Sequence, residues 1–211
     1  MNFIIIANGN LKDYDFARKI IDKHNFIICA DGGAKHLYNM GICPDVLIGD
    51  FDSINADIEK HYVDKNVKFI RFPTHKNYTD TELAVEYAIE NGAKKIALMA
   101  VMGSRMDHTL SNIMLLVYIV EKGIEAEIID EHNIIMATKH SLEINGVPGE
   151  LLSIIPLSEK VENMSIEGLE YPLKNATIHI GSSLGVSNRF IESKVKITFD
   201  LGTILLIKSK D

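Results

Sequence analysis

The chain has no tryptophan, only two cysteines, and no long apolar run. Cys29 and Cys43 form no C-x-x-C pair, so neither a disulfide framework nor a thiolate zinc site is expected. A reduced, cytoplasmic protein is the simple reading. No stretch approaches the ~18 consecutive apolar residues of a membrane-spanning helix, so no membrane association is expected. The opening Met1–Ala7 carries no basic n-region, and its apolar run is too short for a secretion signal. Basic residues are in deficit: 22 Lys and Arg stand against 29 Asp and Glu, a net charge of −7. Phosphate-backbone binding usually needs a basic surface, so this balance argues against a nucleic-acid partner. An anionic substrate would need a metal ion or a local basic pocket. Neither G-x-x-x-x-G-K-[S/T] nor G-x-G-x-x-G occurs, which removes the usual P-loop and dinucleotide readings. Internal repeats and low-complexity segments are also missing.

What remains is ordinary globular composition over 211 residues, 46% hydrophobic and 24% charged. A chain of this size buries roughly 70% of its unfolded surface and needs no staples. Over the first 130 residues short apolar runs alternate with helical periods. The runs are Phe3–Ala7, Phe26–Ala30, Val46–Gly49, Val67–Phe72, Ile96–Val101 and Glu125–Ile129. Helices are expected from about Asp13 to His24, Ala34–Met40, Ile54–Val63, Asp80–Asn91 and about Asp107–Glu121, several of them stopped by glycine. That rhythm predicts a parallel sheet with helices on both faces. Beyond about Asp130 the rhythm changes. Ile134–Thr138, Leu151–Pro156, Val161–Ile166, Ala176–Ile180, Lys194–Phe199 and Thr203–Ile207 are β-like, separated by turn signals such as Asn145-Gly146. The expected organisation is an α/β domain over 1–130 and an all-β domain over 131–211.

Ligands of open parallel sheets bind beyond the carboxyl ends of the strands, so the residues after each apolar run matter most. They are acidic. The second run leads into Asp31-Gly32-Gly33, the third into Asp50-Phe51-Asp52-Ser53, the fourth through Lys76 to Thr79-Asp80, and the fifth to Gly103-Ser104-Arg105-Met106-Asp107-His108. Singly, each has a structural explanation. Thr79 with Glu82 fits a capping box, Asp80 then sits in a first helical turn, and Asp107, Asp52 or Ser53 could be N-caps. Together, carboxylates crowded at one edge repel and ask for a cation. An all-oxygen set suits Mg²⁺, which binds through one or two carboxylates plus substrate phosphates. Asn8-Gly9-Asn10 and Gly32-Gly33 could bring backbone N–H groups close to an anion. One rival is the Asp-x-Asp nucleophile loop of haloacid-dehalogenase-like phosphatases, a covalent route; that pattern expects Thr or Val where Ile54 stands. Another is a non-catalytic nucleotide sensor.

In the order they occur, Ala30-Asp31-Gly32-Gly33-Ala34, Pro44-Asp45, Gly49-Asp50-Phe51-Asp52-Ser53, Thr79-Asp80 and Gly103-x-Arg105-x-Asp107-His108 resemble the signature of thiamine pyrophosphokinases. Gly168–Leu173 and Gly185-Val186-Ser187-Asn188 resemble the family's C-terminal motifs, so the likeness covers nearly the whole chain. The resemblance implies an α/β nucleotide-binding domain, a C-terminal β-sandwich, and a homodimer with active sites between subunits. It implies a reaction in which ATP and thiamine give thiamine diphosphate and AMP with Mg²⁺. Two departures stand out: Asn77 where the family often has an aspartate, and Ser104 for the second glycine of Gly-Gly-Arg.

On this resemblance Asp50, Asp52 and Asp80 are the candidate Mg²⁺ ligands. Asp31 shares that work or orders the loop, beside Gly32. Arg105 contacts phosphate, and Asp107 orients Arg105, binds metal or caps the helix. His108 is a general base or a packed histidine, and Lys76 a phosphate neighbour or a solvated loop residue. Ser187 and Asn188 are the candidate thiamine contacts, reaching the partner subunit's nucleotide edge. With no tryptophan, any stacking on thiamine must use Phe or Tyr; Phe190 and Tyr171 are candidates, with ordinary β-core as the alternative.

Overall fold

The computed structural model describes residues 1–74 and 77–210; His75, Lys76 and Asp211 lie outside the described residues, so the expectation for Lys76 has no structural counterpart. The chain divides into two compact units, Met1–Glu131 and His132–Asp211.

The first unit alternates strands and helices: β1 (Asn2–Ile6), α1 (Tyr14–Ile21), β2 (Phe26–Ala30), a single 3₁₀ turn at Asp31–Gly33, α2 (Ala34–Met40), β3 (Val46–Gly49), α3 (Ala56–Asp64), β4 (Lys68–Arg71), α4 (Asp80–Glu90), β5 (Lys95–Met99), α5 (Met106–Glu121) and β6 (Glu125–Ile129). Its strands lie in the order β6-β5-β1-β2-β3-β4, and every pairing among them is parallel. Ile4, Ile5 and Ile6 are fully buried, as are Val46–Ile48 and Ile96–Met99. Such strands show no alternation because both their faces are covered. From β1 the chain runs outward to β4, then returns across β1 to place β5 and β6 on its other side. Right-handed crossovers put the helices before and after that reversal on opposite faces. In keeping with this, α1 and α3 each pack on α2, while α4 packs on α5.

Helix starts are set by side-chain caps. Asp13, Asn55 and Thr79 accept from the N–H groups of Phe16, Ile58 and Glu82, each satisfying an otherwise orphaned donor. Asp13 is thus the cap of α1 and not its first turn. Asn55 caps α3, which corrects the N-cap reading of Asp52 and Ser53. Likewise α5 begins at Met106 with Arg105 at the cap position and no side-chain cap bond, so Asp107 is a first-turn residue and not the cap. Gly41 ends α2 at φ 66°, and Gly41 and Ile42 donate to Tyr38 O and Leu37 O. That left-handed close favours glycine.

The second unit holds β7 (Asn133–Thr138), β8 (Leu142–Asn145), β9 (Leu151–Pro156), β10 (Lys160–Glu167), β11 (Leu173–His179), β12 (Asn188–Arg189), β13 (Lys194–Thr198) and β14 (Ile204–Ser209). They form two antiparallel arrays, β12-β9-β14-β7 and β11-β10-β13-β8. Residues alternate in and out along β9 and β13, and both arrays contribute to one core that includes Leu152, Ile154, Val161, Ile166, Phe190, Val195, Ile197 and Leu206. A sheet with one face on the core gives this period-2 pattern.

Candidate active site

The reversal of strand order lies between β1 and β5. A crevice opens at such a switch point because the connections leave adjacent strand ends in opposite directions. Here it is a cavity of about 440 Å³, with Asn8, Gly9 and Asn10 after β1 and Ala100–Arg105 after β5 among its walls. Asp31, Asp80, His108 and Asn112 line it as well.

Beside the cavity the acids converge. Carboxylate oxygens of Asp31, Asp50 and Asp52 all lie within 4.8 Å of one another. Asp31 follows β2 at φ 42°, and Phe51 sits between the other two at φ 66°. A side-chain-bearing residue in the left-handed region is uncommon, and for a bulky residue such as Phe it is a genuine outlier. Such strain clusters at sites where surrounding packing enforces it. The packing is visible: Phe51 is 5% exposed, its ring centroid is 5.3 Å from that of Phe69, and the Arg71 guanidinium lies 4.8 Å above it. Asp80 reaches the same place from the first turn of α4. A Cβ on Gly49 would lie 3.0 Å from Asp31 Cβ and 3.2 Å from Asp80 Oδ1. The charge of Asp50, foremost, together with desolvation and the charges of Asp31 and Asp80, holds the Asp52 carboxyl above the usual range.

These residues fit a hard cation. Asp31 Oδ2 accepts from Ser53 Oγ, while Asp31 Oδ1 is buried with no hydrogen-bond partner among the described residues. A buried carboxylate oxygen left unpaired is costly, and a metal ion coordinated there would remove the cost. Every donor in the cluster is oxygen, the set that Mg²⁺ and Ca²⁺ take.

The remaining candidates divide. Arg105 lines the cavity and forms a forked pair with Asp107, Nη2 to Oδ2 at 2.6 Å and Nε to Oδ1 at 3.3 Å, with both side chains about two-thirds exposed. The Arg105 hydrogen bond, first of all, holds the Asp107 carboxyl below the usual range. Gly32 faces another use. A Cβ there would collide with the Asn8 side chain, and one on Gly33 with Ile6 O. The N–H of Gly9 is already given to Ala100 O. These glycines therefore serve close backbone and side-chain approach within the protein, and the Gly9 N–H is not free to cradle an anion.

In the second unit Ser187 is exposed at φ 57° and donates its N–H to Ser153 Oγ. Asn188 is 2% exposed; it accepts from Tyr171 N–H and donates to Tyr171 O. Its amide holds the Tyr171 backbone in place. Phe190 is core, so close under Gly146 that a Cβ there would strike its ring. Tyr171 is 62% exposed, which corrects the core alternative for that residue.

Two residues of the site went unremarked in the sequence: Asn112, buried in α5 with Nδ2 donating to Val101 O at 2.7 Å, and His36, which holds Gly9. Ser53 was read as a cap or a motif member, and the structure gives it instead the hold on Asp31. Asn112 had a signal, the one amide of the helical stretch, at the start of its apolar run. His36 had none.

Comparison with known proteins settles the family. Residues 17–128 match the family model of the thiamin pyrophosphokinase catalytic domain, and residues 134–204 that of the thiamin pyrophosphokinase vitamin B1 binding domain. The chain belongs to the thiamine pyrophosphokinase family. It is 34% identical over 193 residues to the thiamine pyrophosphokinase of Bacillus subtilis, covering 90% of each chain. The crystal structure of thiamine pyrophosphokinase from that organism superposes with a TM-score of 0.91 at 30% identity over the whole of both chains. The thiamin pyrophosphokinase of Geobacillus thermodenitrificans gives 0.85 at 29% identity, covering 100% of this chain and 98% of that one. Thiamine pyrophosphokinases are transferases that move pyrophosphate from ATP to thiamine, and they depend on a metal. The phosphohydrolase and sensor alternatives give way to this membership.

Proposed function

We propose that the acid cluster and the adjoining cavity carry the family's reaction in this chain, with Mg²⁺ as the metal. The thiamine hydroxyl oxygen attacks the β-phosphorus of ATP, the bond from that phosphorus to the α,β-bridging oxygen breaks, AMP leaves, and the hydroxyl proton passes to a base or to solvent. Such a transfer needs alignment and charge neutralisation more than covalent help from the protein. The observation that carries the reading is the buried Asp31 Oδ1, without a hydrogen-bond partner among the described residues, beside Asp50 and Asp52.

Asp50, Asp52 and Asp80 would hold the metal, with Asp31 completing or ordering the set. The ion, when bound, supplies charge neutralisation on the transferred phosphates. Arg105, oriented by Asp107, offers a planar fork of donors suited to phosphate oxygens. His108, in the cavity wall, is the candidate acceptor of the hydroxyl proton. The cavity at the strand reversal takes the nucleotide. Ser187 contacts thiamine and Asn188 shapes that surface through Tyr171, in a β-sandwich domain that serves a partner subunit's site in a cytoplasmic homodimer.

Incubation with Mg·ATP, with and without thiamine, tests the reaction: AMP should form only with thiamine. Asp52→Asn should abolish nearly all transfer while leaving apo stability unchanged or slightly raised, because it removes a charge that Asp50 repels. Saturating Mg·ATP should stabilise the wild type by about 2.7 kcal/mol at a hundred times Kd, and the variant by much less. A fully active Asp52→Asn enzyme with an unchanged ligand-induced melting shift would overturn the assignment.

A further inference from the structure

The cavity wall formed by Asn8–Asn10 is held from two sides. Toward β5, Gly9 and Asn10 donate their N–H groups to Ala100 O and Met102 O, and Gly9 has no room there for a Cβ. On its other side the Gly9 carbonyl meets His36 of α2, whose Nε2 lies 3.0 Å from Gly9 O. His36 Nδ1 is 3.2 Å from the hydroxyl of Tyr14 in α1, and Asn39 Nδ2 is 3.1 Å from the same hydroxyl. For the uncharged ring, hydrogen-bond logic fixes every direction in this chain. A carbonyl only accepts, so Nε2 carries the proton; Nδ1 then accepts from the Tyr14 O–H; and the Tyr14 oxygen accepts from Asn39.

We infer that His36, held in its Nε2–H tautomer by Tyr14 and Asn39, is a positioning residue for the nucleotide, anchoring the Asn8–Asn10 wall of the cavity through the Gly9 carbonyl. The inference rests on the reading that this cavity takes ATP. Desolvation by burial, the largest influence, holds the His36 ring below the usual histidine range. Lys35 pushes the same way, while the Gly9 bond and Glu131 oppose. Protonation would set an N–H against the Tyr14 O–H and strand that hydroxyl's proton, so the relay favours the uncharged ring. Glu131 also accepts from Lys12 and Asp13 N–H at the entrance to α1, fixing the segment that carries Tyr14.

The test compares three variants of the full chain. In His36→Asn the side-chain amide reaches only as far as Nδ1, so the bond to Gly9 is lost. In His36→Gln it reaches as far as Nε2, so the bond is kept. Loss of one such bond should weaken Mg·ATP binding, titrated without thiamine, by about two- to tenfold. Exchange of the Gly9 and Asn10 amides should quicken by a similar factor, while kcat and the KM for thiamine stay within about twofold; His36→Gln should restore both. Unchanged Mg·ATP affinity in His36→Asn, a fall in kcat without a change in affinity, or a His36→Gln variant as impaired as His36→Asn would each overturn the inference. If His36→Asn fails to fold, Tyr14→Phe leaves the ring in place but removes the donor to Nδ1, so that the Gly9 carbonyl alone holds the tautomer. Mixed imidazole ¹⁵N shifts with weakened Mg·ATP binding support the relay, and wild-type shifts and affinity refute it. A protein that forms no AMP with thiamine, yet whose Mg·ATP affinity and Gly9 exchange follow His36, refutes the assigned reaction and leaves the anchor standing.

Discussion

Phe51 tests whether the strained turn between two of the acids proposed to hold the metal is a working part. Its φ of 66° costs an L-residue about 1–2 kcal/mol. The burial of its ring offsets this: truncating a buried Phe to Ala costs about 3–5 kcal/mol, and this ring is 5% exposed between Phe69 and Arg71. Phe51→Ala and Phe51→Gly lose the same ring, but only Ala keeps the strain. Glycine ordinarily costs about 0.4–1 kcal/mol relative to alanine through the unfolded chain. Subtracting that from the strain relieved leaves Phe51→Gly more stable than Phe51→Ala by about 0.8 kcal/mol, the reverse of the usual order. The two units need not unfold together, so the measurement is native-state amide exchange on β1 and β3, which reports the first unit by itself. Titration with Mg²⁺ should show metal affinity falling by about tenfold in both variants, as expected when support behind the ligands is removed. If Phe51→Ala equals or exceeds Phe51→Gly in stability, the backbone strain is not there. If both keep wild-type Mg²⁺ affinity, the turn does not aim Asp50 and Asp52.

Two further outcomes follow. If Ser187 of one subunit serves the acids of another, mixing Asp52→Asn with Ser187→Tyr under subunit exchange should recover roughly a quarter of wild-type activity, since about half of the dimers are mixed and each has one working site; no recovery despite proven exchange places each site within one chain. In the second unit the Lys208 bond, first, and the Val147 N–H hold the Glu150 carboxyl below its usual range. A depressed acid contributes stability that is present above its unfolded pKa, about 4.5, and is lost as pH falls through the folded value. Glu150→Gln should therefore cost under about 1 kcal/mol at pH 7 and flatten the acid limb below about pH 4.5, read by amide exchange on β9 and β14; an unaltered acid limb refutes the coupling.

The strands of the first unit were legible because sheet burial on both faces leaves uninterrupted runs such as Phe3–Ala7 and Ile96–Val101; in the structure these strands start one residue earlier and end one or two earlier. Helix starts were less so. Asp13 reads equally as a first-turn acid or a cap, and only the bond from Phe16 N–H decides. In the second unit β8 and β12 were missed. A four-residue strand has two inward positions, here Leu142 and Ile144, and a two-residue strand has no period at all. The acids were legible because strand ends are where parallel sheets bind ligands. His36 was not, nor was the hold of Ser53 on Asp31, because each acts on a residue more than twenty positions away, and no local pattern records such a contact.

The glycines carry the most instructive difference between pattern and structure. Asn8-Gly9-Asn10 and Gly32-Gly33 read as anion cradles, since a missing side chain lets a ligand approach the backbone. The structure uses the same freedom inward. Gly9 lets the end of β1 lie against Ala100 O and Met102 O, Gly33 lets the turn after β2 lie against Ile6 O, and Gly49 brings the end of β3 against Asp31 and Asp80. Strand ends that carried Cβ atoms at these points would stand apart. Asp31, Asp50 and Asp52 would then no longer share a sphere of a few ångströms. The glycines thus bear on the site indirectly: by closing the distances between neighbouring strand ends, they set the spacing of the carboxylates that, on the proposed reading, a metal would join.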